Sequence, residues 1–255
     1  MKRYTFLSGA ALKYIAVIAM LIDHVSKTVI FTLIENAAPF IALESYGALT
    51  LFNKSILQGM GTVAFPLFCF LLSEGFYYTK NRAKYAGMLF LFALISELPF
   101  DMVFFGGYTM SAGTFPFYFG AQNVFFTLFL GLCAMCCADA AKRGGAKNIA
   151  VGIFGTAAAA AAASVISCDY TWYGVLLIAA FYIMRGNRIF AIVLFLALFV
   201  LYRQTFPSVW TLIACAVIFF YNGKRGNIKN KYFFYIFYPL HLSLIFIAMF
   251  LIRYF

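Results

Sequence analysis

The sequence predicts an all-α polytopic membrane protein of about nine transmembrane helices in one bundle, and three observations carry that prediction. Of 255 residues, 65% are hydrophobic and only 11% charged, where a soluble domain carries about 25% charged residues. Apolar runs long enough to cross a bilayer recur from one end of the chain to the other, so residues 1–255 read as a single membrane domain. The net charge of +11 is held in short Lys/Arg clusters between those runs. Nucleic-acid binding needs a solvated basic face, so these clusters point instead to retention on the cytoplasmic side of the plasma membrane.

A spanning helix takes about 20 mostly apolar residues. By that rule the spans fall at 12–34, 60–79, 84–105, 121–141, 148–166, 171–185, 188–203, 207–222 and 232–253. The sixth and seventh are short and separated only by Arg185-Gly186-Asn187-Arg188, which leaves counts of eight or ten open. The loop charges favour nine. With the N-terminus inside, 15 of the 19 basic residues fall on inner segments: Lys2, Arg3 and Lys13; Lys80, Arg82 and Lys84; Lys142, Arg143 and Lys147; Arg185 and Arg188; Lys224, Arg225, Lys229 and Lys231. Only Lys54, Arg203 and Arg253 fall outside, and Lys27 lies within the first span. The C-terminus is then outside. The first run carries Asp23 and His24 and lacks a small-residue cleavage site, so it is expected to remain as a span.

The longest outer segments are 35–59 and 102–120. The second is rich in glycine and aromatics and is expected as an ordered loop or a re-entrant lining over a cavity. The alanine run 157–163 permits close helix packing. Cys133, Cys136 and Cys137 lie in a hydrophobic helix with no histidine nearby, so no metal centre is expected, and the six cysteines imply no disulfide framework.

Ionisable groups at mid-membrane cost roughly 2.5–3.5 kcal/mol each and usually mark function. Asp23 and Lys27 are four apart and share a helix face, where they can pair. His24 points about 100° away from Asp23. It reads either as a helix-helix hydrogen bonder or as a proton-handling residue oriented by a carboxylate. Glu74 lies near the inner end of the second span, either functional or paired with Lys80, Arg82 or Lys84. Glu97 and Asp101 repel at i,i+4 unless one is protonated or a cation intervenes. Asn123 opens the fourth span, where Asn is often a helix cap. His241 follows Pro239 in the last span. Counted from the inner boundaries at Lys13 and Lys231, His24 and His241 sit at a shared depth of about 15 Å. These residues support an enzyme or a proton- or cation-coupled transporter with a buried His/carboxylate site; a non-catalytic assembly factor is the third class. No nucleotide loop, zinc motif or serine-nucleophile elbow is present.

The polar positions resemble the TraX family of membrane acetyltransferases along nearly the whole chain. The resemblance rests on residues 12–24 ending in Asp23-His24, on 64–76 with Ser73-Glu74-Gly75, and on Thr79, Asn81 and Tyr85. It continues through Ile95-Ser96-Glu97-Leu98-Pro99-Phe100-Asp101, the segment opening at Asn123, and Tyr238-Pro239-Leu240-His241. The resemblance implies transfer of an acetyl group from cytoplasmic acetyl-CoA to an amine or hydroxyl acceptor at or across the membrane, a pilin-like N-terminus or a glycan or lipid head group among them. It implies His24, Asp23, His241 and Glu74 as catalytic residues, with Asp23 or another carboxylate holding the His24 tautomer. Donor phosphates are expected near Lys80, Arg82 and Lys84, helped by Lys224 and Arg225, and Asn123 or His241 is expected to steady the thioester oxyanion.

Overall fold

The computed structural model describes residues 5–227 and 232–254; Lys2, Arg3, Lys229 and Lys231 lie outside them. Ten helices make up the described chain: α1 (Gly9–Phe40), α2 (Leu43–Tyr78), α3 (Arg82–Phe104), α4 (Gly106–Ala112), α5 (Val124–Ala141), α6 (Ala146–Val165), α7 (Thr171–Ile183), α8 (Arg188–Arg203), α9 (Val209–Phe219) and α10 (Phe233–Tyr254). Six of them, α1, α2, α3, α5, α6 and α10, are long and apolar enough to cross a membrane. The protein is therefore an integral, multi-pass helical membrane protein. Of the expected nine spans, α7, α8 and α9 have only 13, 16 and 11 residues.

Helix starts are written into the sequence. Ser8, Asn81, Asn123, Asn187 and Ser208 each accept a backbone N–H of the first turn that follows, which supplies a partner the helix cannot.

The largest departure from expectation is the outer segment 35–59. It is helical, not a loop: α1 runs on to Phe40, and α2 begins at Leu43. At 32 and 36 residues these helices are about 48 and 54 Å long, well beyond a hydrocarbon core of about 30 Å. Glu35, Asn36, Glu44 and Ser45 suit a helix that has left the hydrocarbon. Each long helix carries one π-helical turn, Ser26–Ile30 in α1 and Asn53–Leu57 in α2. The two turns face each other. Ser26 Oγ donates to Asn53 Oδ1 (2.6 Å), and Asn53 Nδ2 donates to the Ser26 carbonyl (3.2 Å). Trp210 Nε1 reaches from α9 to the Ser55 carbonyl (3.0 Å). A π turn disrupts the i→i−4 ladder, and here side chains from neighbouring helices donate to carbonyls within the two turns.

The segment 102–120 holds α4 and a set of turns, with the Tyr118 backbone N–H donating to Asp101 Oδ2 (2.9 Å). It is ordered and tied to α3. Behind it, α5 and α6 form the closest helix pair, with Gly152 against Ala141 and Gly155 against Cys137. α7 is the central element, packed on α2, α5, α6 and α8.

Contacts between helix ends define two faces. At one, Leu7 pairs with Tyr221, Gly9 N–H meets the Lys224 carbonyl, and Lys13 lies over the Phe234 ring. The ends of α2, α5 and α7 join them through ion pairs described below. Lys13, Arg82, Lys142, Arg185, Arg188, Lys224 and Arg225 all belong to this basic face. The opposite face is made by the far ends of α1 and α2 and by segments 105–123, 166–170 and 204–208.

Candidate active site

His24 and His241 meet. His24 Nδ1 lies 2.8 Å from His241 Nε2, the ring centroids are 5.0 Å apart, and the planes differ by 12°, so the rings meet edge to edge. α1 supplies one ring and α10 the other, so the shared depth counted along two separate helices ends in contact. His241 is 3% exposed. Its Nδ1 lies 2.9 Å from the Phe237 carbonyl oxygen, and Phe237 stacks on its ring. Phe104 and Tyr238 pack edge-on against His24.

The donor roles follow from what each atom can accept. A carbonyl oxygen only accepts, so the proton of neutral His241 is on Nδ1 and its Nε2 bears a lone pair. His24 Nδ1–H then donates to that lone pair, and His24 Nε2 is left with its own. The arrangement fixes one tautomer of each ring and leaves one basic nitrogen.

His24 Nδ1 meets His241, where Asp23 or another carboxylate was expected. Asp23 sits one residue away, turned by about 100°, and its Oδ2 pairs with Lys27 Nζ at 2.7 Å. The carboxylate packs against Gly61 of α2, where a Cβ would come within 2.3 Å of Asp23 Oδ1. Only glycine lets α2 pass this close.

Glu74 lies elsewhere. It is 13 residues beyond Gly61 along α2, so about 20 Å from the Asp23 level. Arg185 Nε donates to its Oε1 (2.7 Å), and the Tyr221 hydroxyl donates to its Oε2 (3.1 Å). The structure thus places Glu74 in an ion pair at the basic face and not beside the histidines, and its partner is Arg185, not Lys80, Arg82 or Lys84.

The expected donor-binding residues also separate. Lys80 and Lys84 are exposed at the basic face. Arg82 donates to Asp139 Oδ2 (2.6 Å) and lies over the Phe76 ring, while the Tyr182 hydroxyl donates to Asp139 Oδ1. Asn123 belongs to the far end of α3. Fully buried, it accepts from Phe125 N–H and donates to the Ala93 carbonyl and to Glu97 Oε2. With its amide so committed, Asn123 is a cap and a bolt between α3 and α5, and it has no donor spare for an oxyanion.

Three functional-looking residues escaped the sequence reading. Arg185 and Asp139 are partners across the bundle for Glu74 and Arg82. The loop-charge alternation held the signal, since it puts all four at one face. The third, Asp169, sits in the turn before α7 on the histidine side, close enough to Lys27, Asp23 and Tyr238 to interact electrostatically with each. It is exposed to solvent. Desolvation by the surrounding protein pushes its carboxyl up to about 6, with Lys27 opposing the shift and Asp23 adding to it. Its position in a turn outside every apolar run gave no sign of this.

The TraX protein family profile matches residues 8–249. The chain is also similar to the probable fimbrial assembly protein FimC, serogroup H1, of Dichelobacter nodosus, at 31% identity over 96% of this chain and 97% of that protein. No solved structure matches.

Proposed function

The chain belongs to the TraX family, and we propose that it is an integral membrane acetyltransferase that moves an acetyl group from acetyl-CoA to an amine or hydroxyl acceptor. The observation that carries this reading is the His24–His241 pair, which presents one basic nitrogen inside a helical bundle. The acceptor nitrogen or oxygen attacks the thioester carbonyl carbon, the new bond forms as the carbon–sulfur bond breaks, and CoA leaves as the thiolate. His24 Nε2 takes the acceptor proton, then returns it to the departing sulfur. As His24 gains positive charge, His241 Nε2 accepts its Nδ1–H and the Phe237 carbonyl anchors His241 in turn. His241 therefore fills the orienting place that a carboxylate holds in a Ser-His-Asp triad. Asp23, paired with Lys27, shapes the wall of the site without carrying the proton.

Topology fits the chemistry. With the N-terminus and the basic face cytoplasmic, the polyanionic donor meets the basic face. The histidines lie deeper, at the level of Gly61. The similarity to a probable fimbrial assembly protein supports a membrane-proximal peptide as the acceptor class.

The deciding experiment is His24→Ala in purified protein given labelled acetyl-CoA and a panel of amine and hydroxyl acceptors. Transfer by the wild type is expected to fall by roughly 10²–10⁴-fold. Undiminished transfer at equal folding would sink the role of His24.

A further inference from the structure

At the basic face, α2, α7, α8 and the end of α9 enclose a cavity of about 130 Å³. Phe70 and Phe181 form its apolar floor, and Glu74, Arg185, Arg188 and Tyr221 supply its polar atoms. The geometry points to this cavity as a phosphate-binding site that, building on the acetyltransferase reading above, receives the phosphate end of the acyl-CoA donor.

Charge and donor accounting carry the assignment. Glu74 is satisfied on both oxygens by Arg185 and Tyr221. That pairing neutralises Arg185, but Arg188 has no carboxylate partner among the described residues and keeps a full positive charge at the cavity. Arg188 spends one guanidinium nitrogen on the Phe219 carbonyl (2.9 Å). Arg185 donates through Nε and one terminal nitrogen, to Glu74 and the Tyr78 hydroxyl. Each guanidinium therefore retains unfilled N–H donors, and its planar fork suits phosphate oxygens.

Both side chains are held in place. Arg185 lies 3.6 Å from the Tyr77 ring centroid and Arg188 lies 5.7 Å from that of Tyr221. Arg188 also opens the 16-residue helix α8, whose N-terminal dipole favours an anion. Exposed Lys224 and Arg225 follow Gly223 on the rim.

The cavity suits a phosphoryl group, not a whole nucleotide. A donor bound here must carry its acyl group on a long arm, because Glu74 and the histidine level are about 20 Å apart along α2. Arg82, by contrast, is engaged by Asp139 and leaves Lys80 and Lys84 as isolated surface charges.

The test uses the full chain in lipid nanodiscs and measures binding of CoA, of inorganic pyrophosphate and of phosphatidylglycerol, alongside acetyl transfer. Arg188→Gln keeps a hydrogen-bond donor near the Phe219 carbonyl and removes the charge. CoA and pyrophosphate are expected to bind at least roughly tenfold more weakly to the variant, with the KM for acetyl-CoA rising and kcat little changed. Should that variant not fold, the Lys224→Ala/Arg225→Ala rim variant is expected to weaken both ligands severalfold.

Unchanged CoA and pyrophosphate binding in Arg188→Gln overturns the site while leaving the acetyltransferase reading intact if transfer persists. Phosphatidylglycerol binding that depends on Arg188 while CoA binding does not would assign the cavity to lipid and overturn the donor assignment. Arg188-dependent pyrophosphate binding without any acetyl transfer by the wild type upholds the phosphate site and defeats the acetyltransferase reading.

Discussion

The polar clusters at the two faces of the bundle are built on opposite principles. At the basic face, each carboxylate is locked by an arginine and a tyrosine: Glu74 by Arg185 and Tyr221, Asp139 by Arg82 and Tyr182. On the histidine side of the bundle some buried polar atoms go without a partner. Glu97 Oε1, Asp101 Oδ1 and Ser96 Oγ are buried without a hydrogen-bond partner, and two π turns interrupt the helices that frame the site. Satisfied networks rigidify a fold, whereas unsatisfied groups and π turns gather where a protein does chemistry. One cluster ties the helices together through paired charges; the other is the site proposed for chemistry.

Substitutions can break that contrast. The largest effect is expected on the reactive side without loss of fold: His241→Phe removes the acceptor for His24 Nδ1–H and should lower kcat for acetyl transfer by about 10²-fold, with the melting temperature near that of the wild type. On the gripping side the penalty should fall on stability. Glu74→Ala strands Arg185 and is expected to cost about 3 kcal/mol, read by unfolding in mixed micelles. Gly61→Ala, which drives a methyl group into Asp23, should cost about 1–3 kcal/mol and lower activity as well, because α1 and α2 carry the site between them. Asn53→Ala removes the acceptor of the buried Ser26 hydroxyl and a second donor to the Ser26 carbonyl, at a cost of about 1 kcal/mol.

The smallest effect is a pH dependence. Asp169 has its folded-state pKa raised from 3.8 to about 6, so the native state binds more protons than the unfolded state between those values. Stability should therefore fall as pH rises through that window. Asp169→Asn should flatten this segment of the melting-temperature profile between pH 4 and pH 6.5.

The meeting of the two histidines was legible in the sequence before any coordinates. Histidines are costly in hydrocarbon and there are only two, so their depth could be counted from the basic residues that bound each span. Partner identity was harder to read. Asp23–Lys27 follows from helical spacing alone, but Glu74–Arg185 joins residues 111 apart, and no local period encodes it. Asn123 was ambiguous for a different reason: a cap and an oxyanion donor need the same side chain at the same helix start. Only the occupied amide separates them. The extended helical hairpin was missed because hydropathy marks where a helix leaves the membrane, not where it ends.

The central helix α7 has one further consequence. Its 13 residues reach only about 20 Å, with Asp169 just before one end and Arg185 just after the other. A helix of that length covers about two-thirds of a hydrocarbon core of about 30 Å. Were both of its ends reached by water, the membrane potential would fall across that shorter path about half again as steeply, and a proton moving beside α7 would feel the focused field.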